Sequence, residues 1–195
     1  MVCFPYPKLM TARIGVDQAA AVLITSLDQV EKHRLDGHPI HVWGGAGAAD
    51  PRDLLDRASY SRSPAMDAAL HRTLDQAGVT TSKLALTDLY SCFPVVPKLA
   101  SRSLGLAADA PMTATGSLTA FGGPGNNYSL HGVVSATRAL RDGGGIGLVY
   151  GNGELVTKHH AALCADLSHL QGYVGARDQI EVPVQRGTED SWGLR

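Results

Sequence analysis

Strand-like and helix-like blocks alternate along most of this chain, and the alternation constrains its fold class more than any single motif. Residues 17–25 (DQAAAVLIT) read as a buried strand, although the alanines also suit a helix. Ser26 then stands as an N-cap, with Gln29 completing a capping box. Leu27, Val30 and Leu35 mark one face of a short helix that Gly37 stops. Residues 39–43 (PIHVW) read as a second strand ending at Gly44 and Gly45, and residues 46–62 as polar and irregular. Ser63 and Pro64 put a cap before proline at the first helical position. Met66, Ala69, Leu70, Thr73, Leu74 and Ala77 follow at helical spacing up to Gly78. Residues 83–89 (KLALTDL) form a third strand. Pro94 to Pro97 lead into a helix through Leu99, Ser103 and Leu104, closed by Gly105. Leu130, Val133, Val134, Thr137 and Leu140 make an apolar helical stripe ended by the glycines at 143–145. Residues 146–150 (IGLVY) are a buried strand, Gly151, Asn152 and Gly153 a tight hairpin turn, and residues 155–164 a last strand.

This order predicts an α/β domain with an about five-stranded mixed sheet, mainly parallel, under covering helices, with one antiparallel strand from the final hairpin. One domain is expected over residues 1–172, followed by an irregular tail over 173–195. A chain of 195 residues that is 44% apolar builds a real core. Its net charge of −1 gives no electrostatic case for nucleic acid or an anionic membrane. Apolar runs are too short for membrane insertion, and prolines interrupt the N-terminus where a signal peptide needs a continuous apolar core. Three scattered cysteines make no disulfide framework. A cytoplasmic location is expected.

The chemistry concentrates in residues 115–132, TGSLTAFGGPGNNYSLHG, which hold five glycines directly before a helical pattern. Glycine admits close backbone approach, and a helix N-terminus offers free N–H donors, so the segment suits an oxygen-rich or anionic group. His131 lies just behind it, and Ser91 and Cys92 stand at a strand end, where α/β sheets do chemistry. The opposing reading makes Cys92 a small buried hydrophobe, His131 an ordinary helix histidine and Asn152 a turn residue. Gly45, Ala46 and Gly47 fail as a dinucleotide fingerprint, because Asp50 holds the third glycine position. His159, His160, Cys164 and His169 match no zinc spacing. Adjacent strand residues face opposite ways, so these read as a half-exposed strand face and no metal is expected. No G-x-S-x-G elbow occurs.

In order, these pieces resemble the C-terminal half of a thiolase, nearest the sterol-carrier-protein-type thiolases and their bacterial thiolase-like relatives. Tyr6, Pro7 and Lys8 leading to Asp17, Gln18 and Ala19 to Ala21 resemble the entry to that half. Tyr90, Ser91, Cys92 and Phe93 fall where that branch has HDCF. Gly122, Gly123 and Pro124 fall where thiolases have GHP, within a GGPGNNYSLHG typical of the thiolase-like relatives. Gly151, Asn152 and Gly153 fall where thiolases have C-x-G.

The resemblance covers about residues 5 to 165. It implies a βαβαβαββ half and acyl-CoA C-acyltransferase chemistry, with no bound cofactor and a coenzyme A thioester as substrate. The implied binding loop comprises Gly122, Gly123, Pro124, Gly125, Asn126 and Asn127 together with Gly151, Asn152 and Gly153. The implied catalytic candidates are His131, Tyr90 and Cys92. The departures are as informative: Gly123, Gly151 and Tyr90 occupy the family's histidine, cysteine and histidine positions, and no segment corresponds to the half carrying the nucleophile. The expected function is therefore an incomplete or split acetyl-CoA acetyltransferase-like chain. A noncatalytic acyl-CoA- or lipid-binding subunit of a lipid-metabolism complex is the alternative. The expected partners are acyl-CoA and either a thiolase N-terminal half or further copies of the chain, because the helix over 130–140 is apolar nearly all round.

Overall fold

The computed structural model describes residues 1–35 and 37–166 and the backbone of residues 178–181. His169 and the boundary expected at residue 172 lie outside the described residues.

Chain order is α1 (Leu27–Lys32), β1 (His41–Ala49), α2 (Pro64–Ala77), β2 (Leu84–Leu89), α3 (Val95–Leu104), α4 (Ser117–Ala120), α5 (Tyr128–Gly143), β3 (Ile146–Gly153), β4 (Lys158–Ala165) and β5 (Asp178–Glu181). The sheet runs β2-β3-β4-β1-β5. β2 pairs parallel with β3, while β4 is antiparallel to both β3 and β1. The antiparallel strand thus sits inside the sheet, and the C-terminal ends of β1, β2 and β3 share one edge of it. Four long strands carry the core, and the short β5 extends it beside β1 within the segment read as a tail.

Local signals place most elements. Ser63 Oγ accepts from Met66 N–H, Pro64 opens α2, and Gly78 ends it. Gly105 ends α3 in the same way. Met66, Leu70 and Leu74 of α2, and Val96, Ala100 and Leu104 of α3, pack with Leu148, Tyr150 and Leu163 of the sheet in one continuous core.

Four expectations are corrected. Residues 17–25 form no strand: they run irregularly and mostly exposed, because no strand among the described residues pairs with them. Gly44 and Gly45 do not end β1, which continues to Ala49 with a register irregularity at 42–44. Their bareness lets Thr73 of α2 and Ala161 of β4 come close. Gly151, Asn152 and Gly153 are not the hairpin turn but the last residues of β3, paired with His160, His159 and Lys158. The turn falls at 154–157, with positive φ at Glu154 and Val156. Finally, α5 buries Tyr128, His131, Gly132, Ala136 and Leu140. Of the stripe expected to be buried, only Leu140 is; Leu130, Val133, Val134 and Thr137 stay half-exposed. Gly132 selects this face: a Cβ there would stand 2.5 Å from Asp88 Oδ2 and 3.1 Å from Val149, so only a bare backbone brings α5 this near the sheet.

Candidate functional site

The sheet edge where β2 and β3 end carries the glycine loop, and a strap from the N-terminal segment lies across it. Ala12 N–H donates to the Cys92 carbonyl (3.0 Å) and Arg13 N–H to that of Leu118 (2.9 Å), while Gly123 N–H donates to Arg13 O (2.9 Å). Gln18 Nε2 donates to Phe121 O at 2.8 Å. The loop is therefore folded against the strap. Gly122, with φ of 126°, would place a Cβ 2.8 Å from Gln18 Oε1 and 3.0 Å from Val16. At Gly123, where the resemblance calls for histidine, a Cβ would meet Ala12 Cβ at 3.2 Å and Leu118 at 3.5 Å. Both glycines are buried, and a side chain at either has to displace the strap.

Asp88, the penultimate residue of β2, fixes the approach to this loop. Its buried Oδ1 accepts from Thr113 Oγ1 (2.8 Å), Ala114 N–H (3.0 Å), Thr115 N–H (2.9 Å) and Thr115 Oγ1 (2.7 Å). A buried carboxylate is stable only with such a set of donors. Thr113 Oγ1 in turn receives the N–H groups of Thr115, Gly116 and Ser117. Ser91 Oγ accepts from Leu118 N–H at 3.1 Å. None of these anchors carries a sequence motif; the threonine cluster at 113 and 115 was the one available signal.

The candidate catalytic side chains stand close to the loop but are not poised to react. Asn127 Nδ2 donates to Gln18 O (3.3 Å) and to His131 Nε2 (3.2 Å), which makes Nε2 the acceptor, occupies the ring's acceptor lone pair and puts the ring proton on Nδ1. The His131 ring is buried edge-on against Phe121 with centroids 5.0 Å apart. Burial pushes the Cys92 thiol up, against weaker backbone hydrogen bonds that pull it down. Burial, then Cys92 and Tyr128, push the Tyr90 phenol up. Tyr90 meets the Tyr128 ring nearly perpendicularly at 5.5 Å. Tyr128 itself is buried, and its phenol is raised first by burial and then by Asp88. Ser91, Thr113 and Thr115 lie near enough to pull the other way, yet none meets hydrogen-bond geometry with its hydroxyl. Asn126 is exposed on the outer side of the loop, and Gly151 packs its backbone against Ser129 at the start of α5.

Of the residues expected on a half-exposed strand face, His159 belongs instead to a second, buried polar cluster at the same sheet edge. His160 is exposed, but His159 on the opposite face is fully enclosed. Tyr150 O–H lies 2.7 Å from His159 Nδ1, His159 Nε2 lies 3.0 Å from Ser63 Oγ, and Ser63 Oγ donates to Asp50 Oδ2 at 2.5 Å. Ser63 also accepts from Met66 N–H, so its hydroxyl is saturated when His159 donates from Nε2. The protons thus run one way, from Tyr150 through His159 and Ser63 to Asp50. Burial raises the Asp50 carboxyl, but His159, 3.6 Å away, the hydrogen bonds from Ser63 and Ala65, and the charge of Arg57, 3.8 Å away, together hold it below its ordinary value. This is not a serine-hydrolase triad, because serine stands between the acid and the histidine and caps α2. Alternation along the strand separates His159 from His160; which of them would face inward was not legible without the register of β4.

No protein-family model matches the chain, and no curated protein does. Among solved structures, it is similar to a monomeric SCP2-thiolase-like protein type 1 from Mycobacterium smegmatis, with 33% identity and a TM-score of 0.73. That match covers 85% of this chain and 37% of the other. Human mitochondrial 3-ketoacyl-CoA thiolase shares the fold at 19% identity and a TM-score of 0.55, over 74% of this chain and 34% of its own. The chain therefore spans little more than a third of the length of these proteins. Among the described residues no helix is long and apolar enough to cross a membrane.

Proposed function

Because the chain belongs to the thiolase superfamily, on its SCP2-like side, we propose that it is the acyl-thioester-binding part of a thiolase-type acyl-CoA acyltransferase, without a reactive centre of its own. One observation carries this reading. Among the described residues four buried side-chain polar atoms lack a hydrogen-bond partner, and three of them sit on the segments that build the site: Gln18 Oε1, Tyr128 Oη and Asn152 Oδ1. Leaving such an atom unpaired costs about 1–3 kcal/mol, so three together mark a place that a polar ligand completes. The pantetheine arm of an acyl-CoA carries two amide N–H groups suited to the Gln18 and Asn152 acceptors, and a thioester carbonyl suited to the Tyr128 hydroxyl.

Binding is better supported than turnover. His131 spends its acceptor nitrogen on Asn127, the Cys92 and Tyr90 protons are held more tightly than usual, and Gly123 and Gly151 bring no side-chain acid or base. Acyl transfer then needs a nucleophile from the complementary part of the fold.

Titration calorimetry with acetyl-CoA tests the reading. Saturable binding is expected, weakened about tenfold by Asn152→Leu, the equivalent of about 1.4 kcal/mol. Absence of binding, or binding that Asn152→Leu and Gln18→Leu leave unchanged, overturns it.

A further inference from the structure

The turn 154–157 that joins β3 to β4 is strained and is held from outside. Glu154 and Val156 have φ of 55° and 61°, a region that a β-branched side chain rarely enters. The hydrogen bond that closes the turn, from Thr157 N–H to Gly153 O, is long at 3.4 Å. The firmer anchors come from the segment after β1. Asp50 N–H donates to Thr157 O at 2.8 Å, and Arg57 Nη1 donates to Leu155 O at 3.1 Å. Arg57 is only 6% exposed; its Nη2 donates to Arg62 O at 3.2 Å and stands 3.8 Å from Asp50 Oδ2. Glycines at 154 and 156 would reach the same φ values without strain and without a buried cation to hold them.

The same cluster flanks Asn152. Asn152 pairs with His159 across β3 and β4, so the two side chains share one face of the sheet. His159 Nε2 in turn lies 3.6 Å from Asp50 Oδ2. Asn152 Oδ1 is buried and unpaired, three residues before the carbonyl that Arg57 holds. A strained valine and an unpaired acceptor thus share one short stretch that a single buried cation secures. Such features persist only where the surroundings over-determine them, and they gather at ligand sites.

We infer that Arg57 is a positioning residue for the acyl-thioester site: by holding Leu155 O it keeps the turn in its strained form and Asn152 Oδ1 fixed, open to a ligand amide. This rests on the reading above that Asn152 meets acyl-CoA. Arg57 itself touches no ligand and moves no proton. Without its hold, the turn relaxes toward negative φ at Val156 and carries Gly153 and Asn152 with it.

Titration calorimetry with acetyl-CoA on variants of the full chain tests this, with thermal melting to establish that each is folded. Arg57→Lys keeps a charge beside Asp50 but loses the planar fork, and should weaken binding about fivefold. Val156→Gly takes the same φ without strain, and should restore the affinity when added to Arg57→Lys. Arg57→Lys should add nothing to Asn152→Leu, because the side chain it positions is then gone. An Arg57 that merely supports the fold gives losses that multiply with Asn152→Leu and no rescue by Val156→Gly; either result overturns the inference. Val156→Gly alone should raise the melting temperature by about 2–4 °C. No rise removes the strain and overturns the inference, even where Arg57→Lys fails to fold. Absence of acetyl-CoA binding by the unaltered chain removes the binding reading and this one with it. Binding that Arg57→Lys leaves unchanged removes this one alone.

Discussion

The Tyr150 hydroxyl stands 2.7 Å from His159 Nδ1, in the residue directly before Gly151, and His159 is the strand partner of Asn152. The buried relay and the candidate binding loop are thus consecutive residues of the same strand pair. His159→Ala removes the partner of the Tyr150 hydroxyl and opens a cavity, while Ser63 keeps Asp50 and the Met66 N–H. It should cost about 3–5 kcal/mol, from one stranded polar group and the lost packing. Tyr150→Phe strands only the His159 Nδ1 acceptor and should cost about 1–2 kcal/mol. Urea denaturation of both variants checks the ranking.

Asp50 sets the acid side of stability. Its folded-state pKa lies below the ordinary 3.8, so the unfolded chain takes up the proton first as pH falls. The stabilisation is therefore whole above pH 3.8 and is lost as pH falls below it, through the depressed folded value. Asp50→Asn should lower stability at neutral pH and flatten its decline between about pH 4 and pH 2. Denaturation midpoints measured across that window check it; parallel curves for the two proteins would contradict it.

The fold was legible wherever a local rule decides. Ser63 and Pro64, Gly78, Gly105 and the apolar run of β3 each placed an element from sequence. What failed was decided by contacts between distant segments. Residues 17–25 have strand composition but no sheet to join. Gly44, Gly45 and Gly151 look like punctuation, yet stay in strands because Thr73, Ala161 and Ser129 crowd them. In the site, the glycine loop was legible, but its anchors were not: Gln18 lies 104 positions before Gly122 in the chain, and Asp88 holds threonines 25 and 27 positions away. Family resemblance supplied the positions of Tyr90, Gly123 and Gly151; only the geometry revealed that Asn127 occupies His131.

Gly122 and Gly123 should respond differently to alanine. Gly122 combines a φ of 126° with a Cβ position 2.8 Å from Gln18 Oε1, so backbone and strap both resist. Gly122→Ala should cost about 2–3 kcal/mol. Gly123→Ala is tight only against the Ala12 methyl at 3.2 Å, with Leu118 and Arg13 O at ordinary contact distance, and should cost under about 1.5 kcal/mol. Thermal denaturation reads the difference, and equal losses would mean the strap yields freely.

Gly132→Ala drives a methyl toward Asp88 Oδ2 and pushes α5 off the sheet. The carboxylate then loses its fixed position, and with it the donors of Thr113, Ala114 and Thr115. Overpacking of this kind costs about 1–3 kcal/mol. Hydrogen exchange should quicken at Ala114 and Thr115, and at Gly116 and Ser117, which Thr113 holds. Unchanged exchange there would show that Asp88 moves together with the helix.

The three free cysteines form a reactivity series that bears directly on the site. Cys3 is exposed, Cys92 is half-buried with its pKa raised chiefly by burial, and burial pushes Cys164 up to about 11. Only the thiolate attacks an alkylating reagent, so at pH 8 Cys164 presents about a thousandth of its population as nucleophile. Iodoacetamide labelling followed by mass spectrometry should modify Cys3 first, Cys92 far more slowly, and Cys164 only on unfolding. Because the Cys92 carbonyl is tied to Ala12 of the strap, acetyl-CoA filling the loop should slow Cys92 further and leave Cys3 unaffected. Labelling of Cys92 as fast as Cys3 would contradict the raised pKa and would return Cys92 to the reactive candidates.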